Sequence, residues 1–463
     1  MARGKKKESA LTPEEKLSQA LVPVEEQPYK VPENWCWTKL RYIGTVKGGK
    51  RIPKGHQFAD EPTEYPYIRV TDFRDGGIAV EGLKYVNKST FNQIKNYTIS
   101  SSDIYVSIAG SIGKVGIVPL ELDGANLTEN AAKITDITGI DQIYLLRFLS
   151  SESAQQQMAE STISTTQPKL ALFRIEDISL PIPPLAEQQR IVDRIEYLFA
   201  KLDEARGKAQ SVLDSFETRK AAILHKAFTG ELTANWRTEH GVELGNWRQI
   251  TLSQCSAKIG DGLHGTPSFC DDGEYYFVNG NNFAGQHLEI KPETKRVSVA
   301  EYEKYKTPLF KNSTVFVSIN GTLGKTAFYN DEPVILGKSA CYVHVTDDLN
   351  KFFLRYYFET KEFIDYANTM ATGSTIKNLG LKAMRNMPIC IPDIDEQIEI
   401  VRILDSLFAK EQQAKEAAEA VLEKIDLLKK SILARAFRGE LGTNNPTEES
   451  AVELLKEILQ GDT

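Results

Sequence analysis

Residues 182–232 read IPPLAEQQRIVDRIEYLFAKLDEARGKAQSVLDSFETRKAAILHKAFTGEL, and residues 391–441 read IPDIDEQIEIVRILDSLFAKEQQAKEAAEAVLEKIDLLKKSILARAFRGEL. The two stretches align without gaps at a spacing of 209 residues and share Glu187/Glu396, Gln188/Gln397, Leu198/Leu407, Phe199/Phe408, Phe228/Phe437 and Gly230/Gly439. Such self-similarity organises a chain before any other signal does. In the first copy Ile191, Ile195, Leu198, Leu202, Ala205, Ala209, Val212, Phe216, Ile223 and Ala227 recur mostly at steps of three and four. In the second copy Ile400, Ile403, Leu407, Ala414, Ala418, Val421, Ile425, Leu428 and Ile432 do the same. This spacing draws one apolar stripe along a helix. Prolines stand near each start (Pro184, Pro392) and a glycine after each end (Gly230, Gly439), the punctuation of helix termini. A helix of about 45 residues would span on the order of 65 Å. A striped helix of that length must bury its stripe, and its own repeat is the nearest match, so an antiparallel two-helix coiled coil is expected. Two separate helical hairpins are the alternative.

The regions before these segments repeat more weakly. VSIAGSIGK at 106–114 matches VSINGTLGK at 317–325, and Asn34-Trp35 matches Asn246-Trp247. The order along the chain is therefore globule, segment, globule, segment. The globules are rich in β-branched and aromatic runs: YIRVTDF (67–73), DIYVSIAG (103–110), KVGIV (114–118), YYFVNGNNF (275–283), TVFVSING (314–321) and KTAFYN (325–330). Gly110–Gly113 and Gly321–Gly324 each lie between two such runs and are expected to be hairpin loops. The fold class is α+β: two tandem α/β domains separated and followed by long helices, with a pseudo-twofold internal repeat. The expected boundaries are an N-terminal extension (1–30), a first globule (31–181), a first helical segment (182–232), a linker (233–244), a second globule (245–390), a second helical segment (391–441) and an acidic tail (442–463).

Composition narrows the function. The 463 residues carry 56 Lys+Arg against 63 Asp+Glu, a net charge of −7. Residues 440–463 hold one Lys and six acids, while 31–180 carry 16 basic against 17 acidic residues and 244–389 carry 16 against 15. The globules are thus near neutral, and any phosphate affinity must come from local patches and partners. No apolar run reaches the length of a membrane span, and the basic N-terminus MARGKKKESALTPEEK lacks the apolar stretch of a secretory signal, so a cytoplasmic location is expected. Cys36, Cys255, Cys270, Cys341 and Cys390 have no metal-ligand spacing and are odd in number, which argues for reduced thiols.

Catalytic signatures are missing. There is no H-E-x-x-H, C-x-x-C or G-x-S-x-G pattern, nor the N-P-P-[FY] of amino-methyltransferases. Gly321-Thr-Leu-Gly324-Lys325-Thr326 imitates the end of a phosphate-binding loop, but a first glycine would be needed where Ile319 stands, and a hairpin with an exposed lysine is the better reading. Of six histidines, His225 sits on a helical segment, and only His56 and His264 lie in glycine-rich loops suited to ligand contacts.

A tandem pair of globules, each followed by a helix opening with IPPLAEQ (182–188) or IPDIDEQ (391–397) and ending in AFTGEL or AFRGEL, resembles the specificity subunit of type I restriction-modification enzymes. The resemblance covers roughly residues 30–441. It implies that each globule is a target recognition domain, that each helix is a spacer, and that the chain is non-catalytic. Asp261-Gly262-Leu263-His264-Gly265-Thr266-Pro267 looks like the family's D-G-x-H-G-T-P loop, whereas the first globule departs from it with Lys47-Gly48-Gly49-Lys50-Arg51-Ile52-Pro53. Residues 1–30 resemble an N-terminal extension that docks on a modification subunit. The implied partners are double-stranded DNA, two methyltransferase subunits and restriction (motor-nuclease) subunits. S-adenosylmethionine, ATP and Mg are expected on those partners, with no cofactor or metal on this chain. The E-Q openings, Glu187, Gln188, Glu396 and Gln397, are expected to serve as docking surface.

Two readers held at a fixed distance suit a bipartite target, since the major groove faces the same way again about one helical turn on, ~34 Å. Arg pairs with guanine and Asn or Gln with adenine in that groove. The candidate DNA contacts are Lys47, Lys50, Arg51, Lys54, His56, Arg69, Arg74 and Lys114 in the first globule. In the second they are His264, Thr266, Asn279, Asn281, Asn282, Asn320 and Lys325. A fused methyltransferase and a protein-binding coiled-coil adaptor are the competing classes, as is a reader serving another bipartite-target methylation system.

Overall fold

The structure, a computed structural model, describes residues 12–162, 168–373 and 376–461. The chain divides into two compact units. One comprises Met1–Lys208 with Val421–Thr463, the other Ala209–Ala420. Each unit therefore holds one globule, the start of the helix that follows it, and the end of the other long helix.

In the first unit the globule is built on two four-stranded sheets. One is antiparallel, in the spatial order Thr45–Gly48, Ala131–Thr135, Ile104–Ser107, Val115–Ile117. The other runs Lys84–Tyr85, Pro66–Ile68, Ala125–Leu127, Thr98–Ile99, with a parallel pair between Pro66–Ile68 and Ala125–Leu127. The central strand Ile104–Ser107 is buried on both faces, as its unbroken apolar and small composition requires. The helices Gln142–Leu149 and Glu152–Glu160 pack beside it, each started by a side-chain cap, from Asp141 and Ser151.

The second unit repeats this plan. Its antiparallel sheet is ordered Ser256–Asp261, Ala340–Val345, Thr314–Ser318, Thr326–Phe328. A three-stranded sheet, Arg296–Val297, Tyr275–Val278, Val334–Leu336, again contains one parallel pair. Every strand-like run singled out in the sequence contributes a strand, and both glycine loops close antiparallel hairpins.

The helical segments differ from expectation in two ways. Their first residues are not helical: Ser179–Ile182 and Pro388–Ile391 are strands that pair with Cys36–Lys39 and Arg248–Thr251, and the helices begin at Leu185 and Ile394. The second segment is one helix, Ile394–Ala436, but the first is divided into Leu185–Asp214 and Phe216–Phe228. The break has a local cause. The Ser215 hydroxyl donates to the Ser211 and Val212 carbonyls, and the Arg219 guanidinium donates to the Val212 carbonyl as well. Side-chain donors there compete with the helical ladder.

Within each unit the two helices run antiparallel. In the first unit Asp203 pairs with Lys429 (2.5 Å) and Arg206 with Asp426, so advance along one helix is retreat along the other. In the second, Arg219 pairs with Glu411 (2.7 Å) and Lys415 lies 5.2 Å from the Phe216 ring centre. Ala209 and Ala418, equivalent in the repeat, are both buried in the second unit. The helix ends are exchanged between repeats. Phe437, at the end of the second helix, meets Tyr144 and Phe148 of the first globule edge-on (ring centres 5.3 and 5.2 Å). Phe228, at the end of the first, packs on Phe353 and Tyr357 of the second.

The acidic tail is not only a charged extension. Ala451–Gln460 forms a helix capped by Ser450, and it buries Ala451 and Leu455 in the first unit's core beside the helix Pro13–Ala20. Of the N-terminal extension, residues 1–11 lie outside the described residues. Leu17, Ala20 and Leu21 join the same core.

Candidate nucleic-acid interface

The E-Q motif turns inward in both units, which corrects the expectation that Glu187, Gln188, Glu396 and Gln397 form docking surface. None of the four is more than 1% exposed. Glu187 accepts hydrogen bonds from the Trp35 indole (2.8 Å), the Asn444 amide (2.9 Å) and the Thr443 hydroxyl (3.2 Å). Glu396 accepts from the Trp247 indole (3.0 Å), Thr233 (2.6 Å) and the Arg237 guanidinium (2.5 Å). The glutamines play matching parts. Gln188 accepts from the Asp141 amide and donates to the Gly139 and Pro183 carbonyls, while Gln397 accepts from the Asn350 amide and donates to the Asp348 and Pro392 carbonyls. Each motif thus ties a helix start to its own globule, and a buried carboxylate must be so satisfied to be tolerated. The repeated Asn-Trp pairs were the sequence signal for this role.

The two glycine hairpins are built alike. The Ser107 hydroxyl donates to the Ser111 carbonyl and accepts from the Lys114 amide. Ser318 does the same with Thr322 and Lys325. Gly110, Gly113, Gly321 and Gly324 all adopt positive φ, between +74° and +87°, which the loop shape demands. The hairpins hold Lys114 and Lys325 outward, and neither makes an ion pair among the described residues.

The loops Lys47–Pro53 and Asp261–Pro267 prove equivalent despite their different sequences. A side chain at Gly49 would collide with the Leu127 and Thr128 carbonyls, and one at Gly262 with the Leu336 and Gly337 carbonyls. The following amides, of Lys50 and Leu263, donate to the Leu127 and Leu336 carbonyls (2.8 and 2.7 Å). The first loop is studded with cations, each with a neighbour: Lys47 pairs with Asp136 (3.2 Å), Lys50 lies over Tyr97, and Arg51 pairs with Glu129 (2.6 Å). The hydrogen bond from Arg51 to Glu129 raises the guanidinium's pKa above its ordinary value. Lys54 is exposed. His56 is held on both ring nitrogens, by Thr90 (2.7 Å) and Gln93 (3.0 Å). In the second loop His264 bonds Asp261 (2.6 Å) and Thr266 is exposed.

A third shared feature follows the strands Pro66–Ile68 and Tyr275–Val278. Each leads into a single 3-10 turn, Val70–Asp72 or Gly280–Asn282. Asp72 accepts from the Arg69 amide and from its guanidinium, and Asn282 accepts from the Asn279 amide. Asn282 is 7% exposed and donates to the Glu289 carbonyl and Thr294, so it supports the turn and does not reach a ligand, a correction to its candidacy. Arg69 is likewise engaged by Asp72 and the Gly82 carbonyl. Asn279 accepts from the Asn281 amide, Asn320 lies 3.4 Å from Asn378, and Asn281 is exposed.

In the first unit several of these side chains meet. Thr71 and Lys114 line two adjoining clefts, of about 600 and 430 Å³. The first also has Ser111 and Asn130 on its wall, the second Arg74. Thr71 and Asn130 were not singled out in the sequence, because nothing in composition marks an isolated polar residue at a turn. Lys47 and Lys54 do not line either cleft. In the second unit Gly321, Thr322 and Lys377 line an open cleft of about 520 Å³. The assembled groups are cations, amides and hydroxyls on loops, chemistry that binds phosphate and base edges. Among the described residues there is no cluster of metal-ligating side chains, and no helix is long and apolar enough to cross a membrane.

Comparison with known proteins agrees with this duplicated plan. The family described as type I restriction modification DNA specificity domain matches residues 32–212 and 257–424. The EcoBI specificity subunit of Escherichia coli is 32% identical over 229 residues, which cover 47% of this chain and 46% of that one. The EcoKI specificity subunit of Escherichia coli K12 is 24% identical over 456 residues, covering 93% of this chain and 96% of that one. The crystal structure of the HsdS subunit from Thermoanaerobacter tengcongensis superposes with a TM-score of 0.61 at 21% identity, covering 90% of this chain and all of that one. With the family's domain present twice and spanning most of its length, the chain belongs to the type I restriction-modification specificity subunits.

Proposed function

We infer that this chain is the sequence-reading subunit of a type I restriction-modification complex, with one globule per half of a bipartite DNA target. The observation that carries this is the paired architecture. Two globules share the same serine-clamped hairpin, glycine-pinned loop and capped turn, yet present different side chains on them. A common scaffold with unlike outward groups suits two readers of unlike sequence. Lys114 and Lys325 would meet phosphates, and the loops would face base edges. The reading is further supported by family membership. A protein-binding adaptor would have no use for two loop sets that differ in this way.

The chemistry would then lie on partners. Two methyltransferase subunits would hold S-adenosylmethionine and take the target base out of the stack. Motor-nuclease subunits would use ATP and Mg. Because the E-Q openings are internal, docking falls to the exposed sides of the long helices. The test is to exchange residues 31–180 for those of another family member and sequence the methylated bases of the host. One half-site should change and the other persist. If both changed, independent heads would be wrong.

A further inference from the structure

We propose that Thr71 and Asn281 are a matched pair of base-reading residues, one for each half-site, with Asn281 reading an adenine. This rests on the DNA-reading function proposed above and specifies where in each globule the discrimination resides. The argument begins with what the turns hold fixed. Asp72 and Asn282 point inward and cap the turn by accepting from the backbone amide three residues earlier, at Arg69 and Asn279. Phe73 and Phe283, next in sequence, are buried and stacked on Tyr105 and Phe316 (ring centres 3.8 and 5.6 Å). The residue before the cap in each turn, Thr71 or Asn281, is thereby forced outward, and both are exposed.

The two turns also sit against equivalent hairpins. Thr71 lines the same two clefts as Lys114. In the second unit Gly280, the neighbour of Asn281, is packed so tightly on Ser318, the hairpin's clamp, that a side chain there would collide with it. A lysine on the hairpin and a short polar residue on the adjacent turn are the two elements of groove recognition: a phosphate anchor and a base contact. The anchor is the same in both units, Lys114 and Lys325, whereas the base-contacting position differs. Constant anchor and variable contact is the pattern expected of a position that sets sequence. The side-chain amide of Asn281 presents a donor and an acceptor, the complement of adenine N7 and N6 in the major groove. Thr71 offers a hydroxyl and a methyl, and the methyl suits contact with thymine. Among the described residues, the one hydrogen bond from either turn residue's side chain runs from the Thr71 hydroxyl to its neighbour Asp72, while Asn281 is tied to the turn through its main-chain amide, so both side chains are left to meet a ligand.

The experiment uses the full chain, assembled with its host modification subunits, in binding selection from a randomised duplex library. Thr71→Asn, Asn281→Thr and Asn281→Ala are compared with Lys114→Ala. Each turn substitution should change preference at one position of one half-site by about 10- to 100-fold. Lys114→Ala should weaken all sequences alike and lower the salt dependence. Unchanged base preference in both half-sites for Thr71→Asn and both Asn281 variants overturns the inference and leaves the DNA-reading function standing. So does loss of binding to every sequence by variants that still assemble, since it would make these residues general contacts. A wild-type complex without any bipartite preference would instead refute the function on which the inference rests.

Discussion

Glu396 offers the most direct test of how the helix openings are held. Its carboxylate is 1% exposed and lies against the Arg237 guanidinium at 2.5 Å, Arg237 itself being 8% exposed in its side chain. Replacing Glu396 by Ala leaves that guanidinium buried, with Thr233 and the Gly230 carbonyl as its remaining partners among the described residues. Breaking one side of a buried ion pair costs about 3–5 kcal/mol. Glu187, the counterpart in the first unit, receives indole, amide and hydroxyl donors and makes no ion pair among the described residues. Its replacement by Ala orphans neutral donors only, at a cost of ~1–3 kcal/mol. Hydrogen exchange over residues 231–247 should therefore accelerate by roughly two to four orders of magnitude in Glu396→Ala. Residues 443–448 should respond less in Glu187→Ala. Adding Arg237→Ala to Glu396→Ala should recover much of the loss, because the orphaned charge is gone. If the double variant were no more protected than the single, or if the two units responded equally, the assignment of the cost to an uncompensated charge would be refuted.

Other outcomes follow from the packing and the proposed function. Phe437→Ala should destabilise the first unit, and Phe228→Ala the second, the former by about 3–5 kcal/mol because Phe437 is 1% exposed; exchange measured separately over helices Gln142–Leu149 and Lys351–Tyr357 would reveal a crossed result if the pairing were wrong. Four residues inserted after Leu202 should alter the number of base pairs between methylated half-sites without altering either half-site; unaltered spacing would remove the role of the helices as a ruler. Burial pushes the Cys36 thiol up to about 12 and the Cys255 thiol to about 11, and it raises Cys341 as well. Since the thiolate is the nucleophile, alkylation of the native protein should mark the half-exposed Cys270 and spare these three, as mass mapping would show.

Much of this architecture could be read directly from residue order. Helix period, hairpin glycines and the duplication are local or nearly local properties: a stripe of apolar residues at steps of three and four permits few other structures, and Ser-x-x-Gly-x-x-Gly-Lys between β-branched runs permits little but a tight hairpin. The acidic tail was harder. Its charge hid an amphipathic helix whose Val452, Leu455 and Leu459 lie at helical spacing.

What residue order could not supply was the destination of each side chain across hundreds of positions. Glu187 and Glu396 looked like surface charges on helices, and only folding brings Trp35, Thr443 and Asn444 to one, and Trp247, Thr233 and Arg237 to the other. The same holds for Asn282, which reads as a groove contact until its partners Glu289 and Thr294 are seen. It holds too for the exchange of helix ends, by which Phe437 completes the first globule and Phe228 the second. Periodicity is set by backbone geometry within a few residues, so the chain states it openly. Burial is set by which distant groups can satisfy a charge or fill a gap, and that is decided only when the whole core closes.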